Sequence, residues 1–255
     1  KRFDVSYHYS ATLWANSPKT KPVFEKDLLA FAPIFDAKKS DGLIADSDFI
    51  NLHDSTLSSG NAAWTPLPWT EGEVTNIAQL FQSKNMDRAT VLLRAQANEK
   101  NLKASLKRGA HCVHLASHSF ANVRRPKFSG IACSAGDNDD TDGTLFVGEI
   151  YNLHIPADLV VLSSCESGKG KLLQAEGQLG LNRAFLFSGV PNVLFSLWEV
   201  TDHATSNFMV SFYRFMLDGQ PYATALRNAK IKMLANPVTA SPNLWGGFLL
   251  IEGIH

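Results

Sequence analysis

Residues 159–168 read LVVLSSCESG, and residues 112–119 read CVHLASHS. Each is a short apolar run that breaks off in small polar residues. Runs of four or five apolar residues containing valine suit strands buried on both faces, as parallel sheets demand. One run is predicted to end at Ser163, Ser164 and Cys165, the other at Ser117, His118 and Ser119. In open sheets of this kind, ligands and reacting groups gather at the carboxyl ends of the strands.

The flanking sequence supports that reading. Val74, Ile77, Ala78 and Phe81 fall at i, i+3, i+4 and i+7, one face of a helix. Further helices are predicted over Asn98–Lys107, Gln178–Ser188 and Ala204–Leu217, with Phe208, Phe212 and Phe215 at helical spacing on the last. Another opens at Pro221, a residue suited to the first helical turn. Val193–Trp198 and Phe248–Ile251 read as strands. Phe3–Tyr9 alternates apolar and polar like a strand, and Leu28–Phe35 reads as a strand ending at Pro33. Asp36–Trp69 reads as a long loop and Ser134–Gly143 as a turn-rich acidic one. Helices alternating with short apolar runs imply an α/β fold, a mostly parallel central sheet with helices on both faces.

The chain has 255 residues and no internal repeat or linker that would divide it, so 1–255 reads as a single domain. Lys1 in place of methionine leads us to expect the C-terminal part of a longer protein. Hydrophobic residues make up 45% and charged residues 19%, the composition of a globular protein and not of a disordered or collagenous one. Twenty-four basic residues balance 24 acidic ones, which argues against a domain built to grip nucleic acid. No apolar run approaches the ~20 residues of a membrane helix, so no membrane partner is expected. Three cysteines are too few for a disulfide framework in a chain this long, and free thiols point to a cytoplasmic setting.

A cysteine and a histidine at the carboxyl ends of neighbouring parallel strands can form a thiol–imidazole pair. A free thiol, of pKa about 8.5, is only a few per cent ionised at neutral pH, and an imidazole beside it can take its proton. The plainer alternative is that Cys165 is a small buried hydrophobe. His111, His114 and His118 do not have the spacing of a metal site, because 111 and 114 alternate across a strand, and no CxxC or HExxH accompanies them. The Ser-Gly-Lys at 167–169 lacks the earlier glycine and the following Ser or Thr of a phosphate loop. Lys169 and Lys171, and the run Arg124, Arg125 and Lys127, read as solvated charge.

Six motifs occur in order: HLASH, LVVLSSCESGKG, AEGQLGLNRAFLFSGVPNVLFSLWEVTDHAT, FYRFMLDG, ALRNAK and LWGGFLLIEG. Together they resemble the CHAT domain, a caspase-like cysteine peptidase domain often fused to tetratricopeptide repeats. YHYSATL and LLAFAP resemble its start. The resemblance implies a caspase–haemoglobinase fold with His118 as general base and Cys165 as nucleophile. It further implies an oxyanion hole from the backbone amides at Ser119 and Cys165. The family commonly carries His-Gly where this chain has His118-Ser119. SLWEVTD is also similar to the matching segment of separase, which cleaves after Arg. That likeness implies an S1 pocket floored by Asp202 and lined by Ser163, selecting a basic P1 residue. Asp202 alternatively caps a helix beginning near Ala204. Glu199 and Asp158 are weaker candidates for the pocket acid, and Glu176, in the family's EG motif, reads as structural. The implied activity is that of a hydrolase, a thiol endopeptidase that needs no cofactor and no metal. Its partners would be a protein substrate and an upstream repeat or sensor domain. Relatives in bacterial defence cut partner proteins, pore-forming gasdermins among them. The competing readings are a catalytically silent interaction module and a peptidase latent until the upstream sensor is engaged.

Overall fold

The computed structural model describes residues 3–8, 24–35, 64, 66–120, 122, 125–135, 142–163, 180–198 and 200–252. A six-stranded sheet forms the centre. Its strands are β1 (Leu28–Ala32), β2 (Ala89–Leu93), β3 (Ala110–Leu115), β7 (Ala157–Leu162), β8 (Asn192–Ser196) and β9 (Phe248–Ile251), in the spatial order β2-β1-β3-β7-β8-β9. All neighbours are parallel except β9, which runs antiparallel to β8. Three short strands, β4 (Ser119–Phe120), β5 (Gly130–Ala132) and β6 (Thr144–Phe146), make a separate antiparallel sheet.

The helices are α1 (Thr70–Ser83), α2 (Glu99–Arg108), the short α3 (Val147–Ile150), α4 (helical at 180–187), α5 (Asp202–Leu217) and α6 (Tyr222–Ala235). The sheet has an apolar cluster on each face. On one face Val74, Ile77 and Phe81 of α1 and Phe208 and Phe212 of α5 pack with Cys112, Val161 and Leu194. On the other, Leu102 and Leu106 of α2 and Leu181 and Phe185 of α4 pack with Val113, Leu115 and Val160. Strand residues divide between the clusters by alternation, as the pleat requires. Among the described residues no helix is long and apolar enough to cross a membrane.

Several boundaries have local causes. The Asn98 side chain accepts the Asn101 amide at 2.9 Å and starts α2. Gly109 ends it at φ +76°, where a Cβ would stand 2.2 Å from the Pro156 carbonyl oxygen. In the LWGG motif, a Cβ on Gly247 would come within 2.8 Å of the Trp198 indole, so the absence of a side chain there seats the Trp198 ring just past β8.

Most predicted elements are present, with some differences. Phe3–Tyr9 forms one bridge, Tyr7 to Ile251, and no longer strand among its described residues. Its alternation had suggested burial of one face, yet Phe3, Val5 and Tyr7 are all exposed. The edge strand β2 and the small sheet were not predicted, and β9 joins in the opposite sense to the others. Of the predicted loop Asp36–Trp69, residues 36–63 and 65 lie outside the described residues, as do 178–179 at the head of α4.

Candidate functional site

β3 and β7 are parallel neighbours in the register Cys112↔Leu159 to Leu115↔Leu162. They therefore end together. The Ser163 amide donates to the Leu115 carbonyl at 3.0 Å, the last rung between them among the described residues. Beyond β3 the chain is pinned on the small sheet: Ser117 Oγ donates to the Ala132 carbonyl at 2.5 Å, and the His118 carbonyl accepts the Ala132 amide at 2.8 Å. Ser119 is buried in β4 opposite Ile131. His118 is only 5% exposed. Its ring stacks on Trp64, with centroids 5.2 Å apart and planes 17° apart, and Phe35 lies against it at 5.3 Å. Cys165, with its backbone amide, lies outside the described residues, and so do Lys169, Lys171, Glu176, Arg124 and Glu199.

Below this edge lies a buried polar network. Glu73, on the apolar stripe of α1, is wholly buried. Its Oε1 accepts both His114 Nε2, at 2.7 Å, and the Ser163 hydroxyl. The Tyr213 hydroxyl lies 3.2 Å from His114 Nδ1. Burial pushes the Tyr213 phenol well up, so that hydroxyl keeps its proton. The other oxygen of Glu73, Oε2, is buried without a hydrogen-bond partner among the described residues. Ser163, expected to line S1, directs its hydroxyl at Glu73. Sequence reasoning considered His114 only for metal binding and passed over Glu73. The signal was there: a glutamate at i−4 from Ile77, on the face that points into the core.

Asp202 is the first residue of α5, with Thr201 at the cap position, so the helix begins two residues before the predicted start near Ala204. Its Oδ2 accepts the Trp69 amide at 2.9 Å, tying α5 to the residue before α1. Burial, and secondarily the Glu73 carboxylate, holds the Asp202 carboxyl above the usual range. The Trp69 indole packs edge-on against His203 at 4.5 Å.

The three histidines have separate surroundings. His111, at the amino end of β3, has Nε2 at 3.6 Å from Asp158 Oδ2, and Tyr222 donates to the same oxygen at 2.5 Å. Asp158, a weaker candidate for the pocket acid, is therefore at the opposite end of its strand from Ser163. Its carboxylate raises the His111 imidazole to about 10. A raised folded-state value stabilises the fold fully below pH ~6.5, the unfolded value, and the gain is lost as pH rises toward 10. The His111 side chain is about one-third exposed, so solvent screening limits the effect to about 1–2 kcal/mol. Denaturant titrations at pH 6 and pH 9 should show wild type losing that much more stability than His111→Gln. Equal losses would mean that the His111–Asp158 pair contributes nothing.

Residues 1–252 match the family model of the CHAT domain. Tetratricopeptide repeat protein 28 of Homo sapiens is 28% identical over 219 residues, covering 74% of this chain and 8% of its own length. The Mus musculus protein of that name is 27% identical over 219 residues, covering 74% of this chain and 9% of its length. The chain thus spans under a tenth of these curated relatives. Among solved structures, the Arg-specific cysteine proteinase gingipain R superposes with a TM-score of 0.55 at 9% identity, over 89% of this chain and 46% of that one. A complex of Porphyromonas gingivalis RgpB pro- and mature domains gives 0.53 at 11% identity, over 89% and 47%. At such identities the likeness is one of fold, and it agrees with a caspase–haemoglobinase-like arrangement.

Proposed function

The chain belongs to the CHAT domain family, and from that premise we propose that it is a cysteine endopeptidase whose reacting pair is His118 and Cys165. The observation that carries the proposal is the common ending of β3 and β7: His118 lies three residues past one strand, and in the sequence Cys165 comes three residues past the other. In the proposed reaction the Cys165 thiolate attacks the scissile carbonyl carbon, forming the C–S bond. The backbone amides of Ser119 and Cys165 hold the oxyanion. Protonated His118 gives its proton to the leaving amine as the C–N bond breaks. His118 then takes a proton from water as the water oxygen attacks the thioester, and the C–S bond breaks to release the acid and the Cys165 thiolate, restoring the starting ion pair. Asp202 supplies the S1 charge for a basic P1 side chain. The names of the relatives favour tetratricopeptide repeats as the associated domain, with 1–255 acting as one peptidase unit.

The test is covalent. A peptidyl acyloxymethyl ketone with Arg at P1 should add one inhibitor mass to the protein, mapped by peptide mass spectrometry to Cys165. Prior alkylation should prevent it. A folded protein that is never labelled, joined or not to its repeat domain, would leave the silent interaction module as the better reading.

A further inference from the structure

Glu73 is a buried acid on an otherwise apolar stripe. Its neighbours on the stripe are Val74, Ile77 and Phe81, and replacing a buried ionic or polar cluster with packed hydrophobes is often neutral or stabilising. What Glu73 does is bridge. One oxygen holds His114, in the strand that leads to His118, and Ser163, at the exit of the strand that leads to Cys165. Val161 belongs to the cluster on the α1 face, and Ser163, two residues on, turns its side chain to α1 as well. Among the described residues the Ser163–Leu115 rung extends the pairing at the carboxyl ends of the two strands, and Glu73 adds a second tie at that level through side chains. The same helical turn reaches Asp202: the Glu73 amide donates to the Trp69 carbonyl at 2.9 Å, and the Trp69 amide donates to Asp202.

We propose that Glu73 is a positioning residue that locks the ends of β3 and β7 against each other through His114 and Ser163, and so holds the thiol–imidazole pair in attack geometry. The proposal rests on the peptidase reading. It assigns Glu73 no contact with the reacting atoms. Its physical basis is that reacting groups must be held within about 0.5 Å of productive geometry, and that a misplacement of about 1 Å costs about a hundredfold in rate.

The experiment compares the whole chain, wild type, with Glu73→Leu, Glu73→Gln and Ser163→Ala. It measures kcat and KM on a peptide substrate, the pH–rate profile of Cys165 alkylation by iodoacetamide, and the melting temperature. Glu73→Leu and Ser163→Ala should lower kcat about ten- to a hundredfold with KM within about threefold. Their alkylation profiles should move toward that of a free thiol, near pH 8.5. Glu73→Gln keeps an acceptor oxygen for both donors and should restore kcat to within about threefold of wild type. A kcat unchanged in both Glu73→Leu and Ser163→Ala would overturn the proposal. So would a KM effect alone, which would mark Glu73 as a substrate contact, or losses that follow the melting temperature in all three variants. If wild type shows no turnover, the peptidase reading fails while the alkylation profiles still decide the positioning role: identical profiles in all four proteins would overturn it. Should Glu73→Leu not fold, Ser163→Ala and Glu73→Gln carry the same comparisons.

Discussion

Cys165→Ala is expected to lower peptide cleavage at least about a thousandfold, because it removes the atom that forms the acyl bond and no other group in the proposed reaction replaces it. The protein should stay folded, with an unchanged far-ultraviolet spectrum. The other two cysteines serve as internal controls. Cys112 is wholly buried and Cys133 is 4% exposed, and burial pushes both thiols up, away from the reactive thiolate form. Alanine at either should leave turnover within about threefold, and iodoacetamide should modify a single site in the wild-type chain. His118 needs a more careful substitution. It is nearly buried beneath Trp64 and beside Phe35. His118→Ala would empty space in an aromatic cluster and cost about 1–3 kcal/mol. His118→Gln fills more of that space and should abolish turnover with less loss of stability. Cleavage retained by Cys165→Ala would refute the mechanism.

Asp202→Asn is expected to reduce a preference for Arg or Lys at P1 about ten- to a hundredfold, the value of a charge-assisted bond of about 1.5–3 kcal/mol. The substitution isolates charge. An asparagine oxygen can still accept the Trp69 amide, so the tie between α5 and the start of α1 persists. Reaction of Cys165 with a small alkylating agent should be unaffected. The raised pKa of Asp202 adds a signature in pH. Its carboxylate protonates at higher pH than an ordinary aspartate, so the basic preference of wild type should weaken on acidification sooner than a normal carboxylate would allow. Asp202→Asn should show no such weakening. A substrate library profiled on both proteins at two pH values measures both effects. An apolar P1 preference, identical in the two, would remove Asp202 from the pocket and leave the cysteine chemistry untouched.

The strands that frame the site were legible because burial on both faces writes a continuous apolar run. CVHLA and LVVLS name themselves as β3 and β7, and Phe248–Ile251 matches β9 residue for residue. α1 and α5 were legible from helical spacing and α6 from Pro221 at its start, and α2 lies within a residue of the predicted Asn98–Lys107. The small sheet was not, because strands of two and three residues are too short to carry a period. The direction of β9 was not, because an apolar tetrapeptide reads the same in either sense of pairing.

At the site the division is sharper. Sequence alone put forward His118 and Cys165 as the proposed pair, through local motifs whose residue types suit the chemistry, and Cys165 lies outside the described residues. Only the tertiary structure could seat Trp64 on His118, bring Glu73 to His114 and Ser163, or lay the Trp69 amide on Asp202. These contacts join residues 41 to 133 positions apart, and the closure of the sheet with its helices, not any local preference, selects them. Periodicity reports which face of an element is buried. Which polar group waits on that face is decided by the element packed against it.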